Sequence, residues 1–345
     1  MSTAPTQAGS APPTRNAPSR IGRSAVLAGG LVALLAAIVA SIAVGAESVP
    51  LGQIWPALTD FDPLSGDHLV VRDIRVPRTL LGIAVGAALA VAGALVQTLS
   101  RNPLAEPGIL GVTHGAGFAL TLGAALGLAG TALGELGLGV AGAVLATVLV
   151  YAVGRHSTLR LLLAGVALSA VLQGVSLGVR LTSPDTLDKY RFWSVGSLAG
   201  REQTDLTIPL VAIALALVGA LLVARSLNAV ALGETVAHTL GANVARVRTV
   251  TLVLITVLAG AATAVAGPIL FVGLIVPHLL RRLTVGSVPW LVTLSMIVGP
   301  ILMLAADTIS RVVLHTGEVP VAIVTAFLGG PMLIWVVRRY GAGSL

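Results

Sequence analysis

The run TVTLVLITVLAGAATAVAGPILFVGLIVPHLL, residues 249–280, is 32 residues long and carries no Asp, Glu, Lys or Arg. A helix needs about 20 apolar residues to cross the hydrocarbon core of a bilayer, so the architecture turns on whether this run is one span or two. AGPILF at 266–271 decides it. Proline lacks an N–H and clashes with the turn before it, so Gly267-Pro268 should end one helix and open another. The second helix is then short and stops near Arg281-Arg282.

Working outward, charge-free runs of spanning length recur at 24–46, 79–100, 107–134, 136–154, 161–179, 206–224, 283–306 and 319–337. The expected count is ten spans, with both termini on one side. Loop charges test this count. The segments assigned to the inside hold 13 of the 21 basic residues and only Glu106 and Glu234 among the 14 acids. The outside segments hold 8 basic and 12 acidic residues. That is the positive-inside asymmetry. Reading 249–280 as one helix would flip the last two spans and put Arg338 and Arg339 outside.

Composition agrees. The 345 residues are 56% hydrophobic and 10% charged, with mean hydropathy +0.97, which is too little charge for the surface of a soluble domain. The net charge of +7 belongs to helix orientation rather than to nucleic-acid binding. With no cysteine, disulfides, thiolate metal sites and a cysteine nucleophile are excluded. Residues 1–22, rich in Pro, Ser, Ala and Thr, read as a disordered cytosolic tail, and 23–345 as a membrane domain. VGA before Glu47 loosely fits a signal cleavage site, but the apolar stretch is longer than a signal core and is taken as the first span.

GAALAVAG at 86–93 matches GAATAVAG at 260–267 in seven of eight positions, an offset of 174 that also aligns Pro103 with Pro277. In the ten-span topology the two copies run in opposite directions, which suggests an inverted repeat of the kind transporters use. Every Asp and Glu falls at or beyond a span end, Asp307 being nearest to an exception, and an ion-coupled carrier would keep such a group at depth. Energy should therefore come from another subunit. No G-x-x-x-x-G-K-[ST] occurs, so the chain has no phosphate-binding loop. Thr113 and His114 are adjacent and diverge on a helix, so no catalytic pair is expected, and neither a cofactor nor a metal site.

ALGETVAHTLGANVARVR, residues 231–248, interrupts the apolar pattern. Read as a helix over 229–240, it places Leu232, Val236 and Leu240 on one face, with Glu234 and His238 opposite, and Gly241 ends it. It is too short to span. It either lies on lipid or docks a cytosolic motor.

Several stretches together resemble one family. IRVPRTLLGIAVGAALAVAGALVQTLSRNPLAEPGILGVTHGAG (74–117), RLLLAGVALS (160–169), FWSVGSL (192–198), ALGETVAHTLG (231–241), FVGLIVPHLLR (271–281) and ADTISRVVLHTGEVPVAIVTAFLGGPMLIWVV (306–337) are similar to the FecCD/BtuC-type permeases of bacterial ABC importers. Those permeases take up iron-siderophores, haem and cobalamin. The resemblance implies an all-α membrane protein with about ten transmembrane helices, in the type II importer permease fold with an inverted repeat. It also implies a second permease chain, a separate ATP-binding subunit, an extracytoplasmic substrate-binding protein, and a ferric siderophore as cargo, with haem and cobalamin as alternatives.

By the same resemblance, the loop at about 226–246 forms the coupling helices, with Leu232, Gly233, Glu234, Ala237, Leu240 and Gly241 at the matching positions. Arg75, Arg78 and Arg311 match positions that pair with glutamates on the binding protein. Asn102, Leu104, Thr158 and Leu159 stand at cytosolic gate positions. Leu159 departs from the small hydroxyl residue found there in the cobalamin type.

Overall fold

The computed structural model describes residues 22–45, 49–154, 158–201, 205–239, 241–284, 286–314 and 317–340. The expected tail 1–22 lies, apart from Gly22, outside them. Among the described residues the chain is all-helical. It begins with α1 (Arg23–Ala43), α2 (Leu51–Thr59) and α3 (Gly66–Leu69), which widens through a π-helical turn (Val70–Arg75) into α4 (Val76–Ser100). A 3-10 turn (Pro107–Leu110) precedes α5 (Val112–Ala125), followed by α6 (Ala132–Gly154), α7 (Thr158–Thr182), α8 (Pro184–Ser194) and α9 (Thr207–Ala231). The chain ends with α10 (Glu234–Thr239), α11 (Val244–Ala266), α12 (Val272–Thr284), α13 (Val288–Val312) and α14 (Val321–Tyr340).

Local signals set the boundaries. Asn243 caps α11 by accepting the Arg246 N–H, and Ser287 and Ser183 cap α13 and α8 in the same way, each satisfying a donor that the helix leaves unpaired. The 32-residue run breaks as expected. α11 stops at Ala266, Gly267 takes φ 75°, and α12 starts five residues after Gly267.

Seven helices among the described residues are long and apolar enough to cross a membrane: α1, α4 with the turns before it, α6, α7, α9, α11 and α13. The other three expected spans fall on helices outside that set. α5 has 14 residues and α12 has 13, about 20 Å each at the helical rise, and the apolar part of α14 is Val321–Trp335. The third expected span began too early. Residues 107–111 are a 3-10 turn closed by Gly111 at φ 74°, so the helix starts at Val112.

α4 is the centre of the bundle. Of its most apolar window 83% is buried, against 11% for α1 and for α7. It is apolar on every side, as a fully enclosed helix must be, and its small residues let neighbouring backbones come close. At the α4–α13 crossing, a Cβ on Gly86 would stand 2.7 Å from the Gly299 carbonyl oxygen. At the α4–α12 crossing Gly93 meets the Gly273 carbonyl, which also accepts Gln97 Nε2 at 3.0 Å.

The packing recurs in two halves. α4 packs on α13 as α11 packs on α6, and α4 on α12 as α11 on α5. The offset of 174 is not the register of that recurrence. Pro103 lies in the turn after α4, whereas Pro277 is inside α12. The eight-residue match reflects a shared need for small residues where α4 and α11 are buried.

Candidate functional site

At one end of the bundle Arg75, Arg78 and Arg311 are brought together, as a buried network. All three side chains are 4–5% exposed. The widened turn before α4 carries Arg75 onto the end of α1, where its Nη1 donates to the carbonyls of Ile42 (2.6 Å) and Ala43 (2.8 Å). Those carbonyls are among the four a helix C-terminus leaves unpaired. Arg78 grips Asp307 of α13 with Nε and Nη2 (2.9–3.2 Å) and gives Nη1 to Glu318 at 2.7 Å. Arg311, one turn after Asp307, reaches Asp307 Oδ2 at 3.2 Å, the Ser41 carbonyl at 2.9 Å and Ser41 Oγ at 3.1 Å. Ser41 in turn bonds Thr79 at 2.9 Å.

This fork geometry suits guanidinium, and burying the charges is tolerable because Arg78 and Arg311 face a carboxylate and Arg75 bonds carbonyl oxygens. Asp307 and Glu318 are site residues that sequence reasoning did not assign. The signal for Asp307 was its i,i+4 spacing to Arg311, and for Glu318 no local signal exists.

At the opposite end, the expected single helix over 229–240 is two helices. α9 runs on to Ala231, and Gly233 at φ 129° turns the chain into the separate six-residue α10. That angle suits glycine, so a continuous helix is ruled out at this point. Ala237 is fully buried and anchors α10, while Leu232 is 67% exposed and Val236 is exposed beside it. The Ala242 N–H closes the end on the Ala237 carbonyl at 2.9 Å, with Gly241 at φ 77°. The side chains of Glu234 and Leu240 lie outside the described residues, as do those of Thr158 and Leu159 at the start of α7.

Asn102 and Leu104 are half-buried in the turn after α4. Asn102 Oδ1 accepts the Leu104 N–H at 2.9 Å, and the Asn102 N–H bonds the Gln97 carbonyl at 3.1 Å, so Asn102 closes the helix whatever else it does. Nearby, Glu106 Oε1 accepts the N–H of Phe271, a residue at φ 70° in the break between α11 and α12.

Burial pushes the Glu106 carboxyl above the ordinary glutamate range, and the Phe271 N–H pulls it back. With its folded-state value raised, this group contributes stability that is complete below the ordinary glutamate value and is lost as pH rises through the folded value. Glu106→Gln keeps an acceptor for Phe271 and removes the buried charge. Its unfolding temperature should therefore exceed the wild-type value at about pH 8 and converge with it near about pH 4. Parallel curves would show that Glu106 carries no such penalty.

A buried bundle with several membrane-crossing helices, a charged clamp at one end and a short separate helix at the other defines a multi-pass membrane protein of the transporter class. The chain belongs to the FecCD transport family, which it matches over residues 33–339. It is 43% identical over 327 residues to the ferric enterobactin transport system permease protein FepD of Escherichia coli (strain K12), covering 93% of this chain and 97% of that protein. It is 38% identical over 300 residues to the vitamin B12 import system permease protein BtuC of Salmonella paratyphi A, covering 85% and 90%. A solved structure assigned to a metal-chelate type ABC transporter, in an inward-facing conformation, superposes with TM-score 0.78 at 29% identity, over 92% of this chain and all of that one.

Proposed function

We propose that the chain is the permease subunit of a binding-protein-dependent ABC importer that carries a ferric siderophore into the cytosol. The observation that carries this reading is the similarity, over nearly the whole length of both chains, to a ferric enterobactin permease. The likeness to a vitamin B12 permease supports cobalamin as the second reading, with haem as a third cargo of the same family. Uptake of radioactive iron, supplied as siderophore to an iron-starved strain with and without this gene, tests it. A fall that complementation restores is expected. Unchanged iron uptake together with lost cobalamin or haem uptake would transfer the assignment to those ligands.

In this reading α5, α12 and α14 cross as shorter spans. The count is then ten, the two halves are inverted, and both termini, with the tail 1–22, are cytosolic. The apolar surfaces of α7 and α14, where Leu163, Val171, Leu181 and Phe327 are exposed, suit a second permease chain. ATP hydrolysis belongs to a separate subunit docking at α10 through Leu232, Gly233, Glu234, Ala237, Leu240 and Gly241. Leu232 is the anchor that the geometry favours, because a leucine this exposed on a short cytosolic turn gains most from a partner's pocket. Leu232→Asp should leave folding intact and lower transport per ATP hydrolysed at least about tenfold. Full coupling in that variant would remove Leu232 from the contact.

Arg75, Arg78 and Arg311 remain the proposed docking groups for the binding protein. Their N–H groups engage their own chain, so a partner carboxylate would enter by displacing Glu318, which is 36% exposed. Asn102, Leu104, Thr158 and Leu159 are the proposed cytosolic gate. Normal transport by a folded Asn102→Ala variant would exclude Asn102 from it.

A further inference from the structure

The end of the bundle that carries α10 also holds a cavity of about 650 Å³ between the ends of α4, α9, α12 and α13. Arg101, His278, Arg281 and Arg282 line it, and its described lining includes no Asp or Glu. Arg281 gives Nη2 to Gln97 Oε1 at 3.2 Å, while its buried Nε has no acceptor. Arg101, held at φ 52° just after α4, gives Nη2 to the Val230 carbonyl at 2.8 Å. These two guanidiniums thus donate to neutral oxygens. α13 starts in the wall, and the positive end of this 25-residue helix adds to the field. Gathering like charges in a concavity is unfavourable unless an anion enters.

Depth points to the kind of anion. Leu279 and Leu283 on the last turns of α12 are 53% and 49% exposed, and Trp290, in the first turn of α13, is half-buried. Exposed leucines and a tryptophan on the helix turns next to a basic cavity suit chain at the level of lipid headgroups, and basic pockets between helix ends suit headgroup phosphates.

We propose that this cavity binds a phosphate-class anion, either the headgroup of an anionic phospholipid or free phosphate from solution. Leu232, at the α9–α10 turn, forms part of the wall. An occupant is thus felt where the ATP-binding subunit is proposed to dock, and the site would tune coupling. That consequence rests on the coupling reading, whereas the binding itself does not.

The test uses the assembled transporter in nanodiscs of phosphatidylcholine with or without phosphatidylglycerol, with retained lipid counted by native mass spectrometry. A second arm titrates inorganic phosphate into phosphatidylcholine discs and follows thermal stability. Wild type should retain phosphatidylglycerol, or be stabilised by phosphate, and the arm that responds names the source. Arg281→Gln and Arg282→Gln should each weaken binding about fivefold. Arg225→Gln, an exposed arginine of α9 outside the cavity, should leave it unchanged. If the glutamine variants fail to fold, Arg281→Lys with Arg282→Lys keeps the charge and should keep the anion. No anion effect in either arm, an equal loss in Arg225→Gln, or displacement of the lipid whenever the ATP-binding subunit is present would overturn the proposal. The last result would make the cavity that subunit's docking pocket.

Discussion

Asp307→Asn is expected to destabilise the folded permease by about 3–5 kcal/mol, the largest loss at any single polar position. The carboxylate is fully buried, accepts from Arg78 and is ion-paired with Arg311 at 3.2 Å. With a neutral amide in its place, two buried guanidiniums face each other, and Arg75 lies close by. Removing one partner of a buried set costs far more than the set contributes net, because the remaining charges cannot return to water. Chemical or thermal unfolding of the purified protein in detergent would measure the loss, and a change below about 1 kcal/mol would show that the network is solvated.

Glu318→Gln is the contrasting case. Glu318 is one-third exposed, so its loss should cost no more than about 1 kcal/mol. The same variant replaces a charged partner of Arg78 with a neutral amide, which an incoming carboxylate displaces more easily. An unaltered rate of binding-protein capture would therefore count against Arg78 as a docking group.

The second large effect is steric. Gly93→Leu should prevent accumulation of folded protein, because even a Cβ at this position meets the Gly273 backbone and neither helix can yield alone. Overpacking costs about 1–3 kcal/mol when side chains can adjust, and a backbone carbonyl adjusts least, so Gly93→Ala should already fall in that range. Gly29→Ala, where nothing stands within 4 Å of the added carbon, should be neutral or slightly stabilising. Equal behaviour of Gly93→Ala and Gly29→Ala would mean that α4 and α12 are not pressed together.

The parts of this fold legible in the sequence were those set by local chemistry. Gly267-Pro268 marks a break because no neighbour can supply what proline lacks, and long charge-free runs mark helices because lipid leaves no alternative. What escaped depended on distant partners or on single dihedral angles. The helix expected over 229–240 satisfied an amphipathic pattern that Gly233 overrides with one torsion. The start of α5 was misplaced because 107–111 is as apolar as the helix it precedes, and only the left-handed Gly111 separates them. Arg75, Arg78 and Arg311 lie together at one end. Of their internal carboxylates, Asp307, 229 residues from Arg78, had only its spacing to Arg311 to mark it, and Glu318, 240 residues from Arg78, had nothing.

Those separations matter for how the protein is made. α4, the most enclosed helix, emerges from the ribosome before α11, α12 and α13, which cover it. At ordinary rates of synthesis, the 143 residues between Ser100 and Val244 take on the order of 10–30 s. During that interval lipid tails must occupy the glycine-lined faces of α4, and Arg78, with no Asp307 yet synthesised, has only headgroups and water to bind. Completion of α13 then replaces a bilayer ligand with a protein one. Assembly of the centre is in this sense an exchange of solvents, timed by translation.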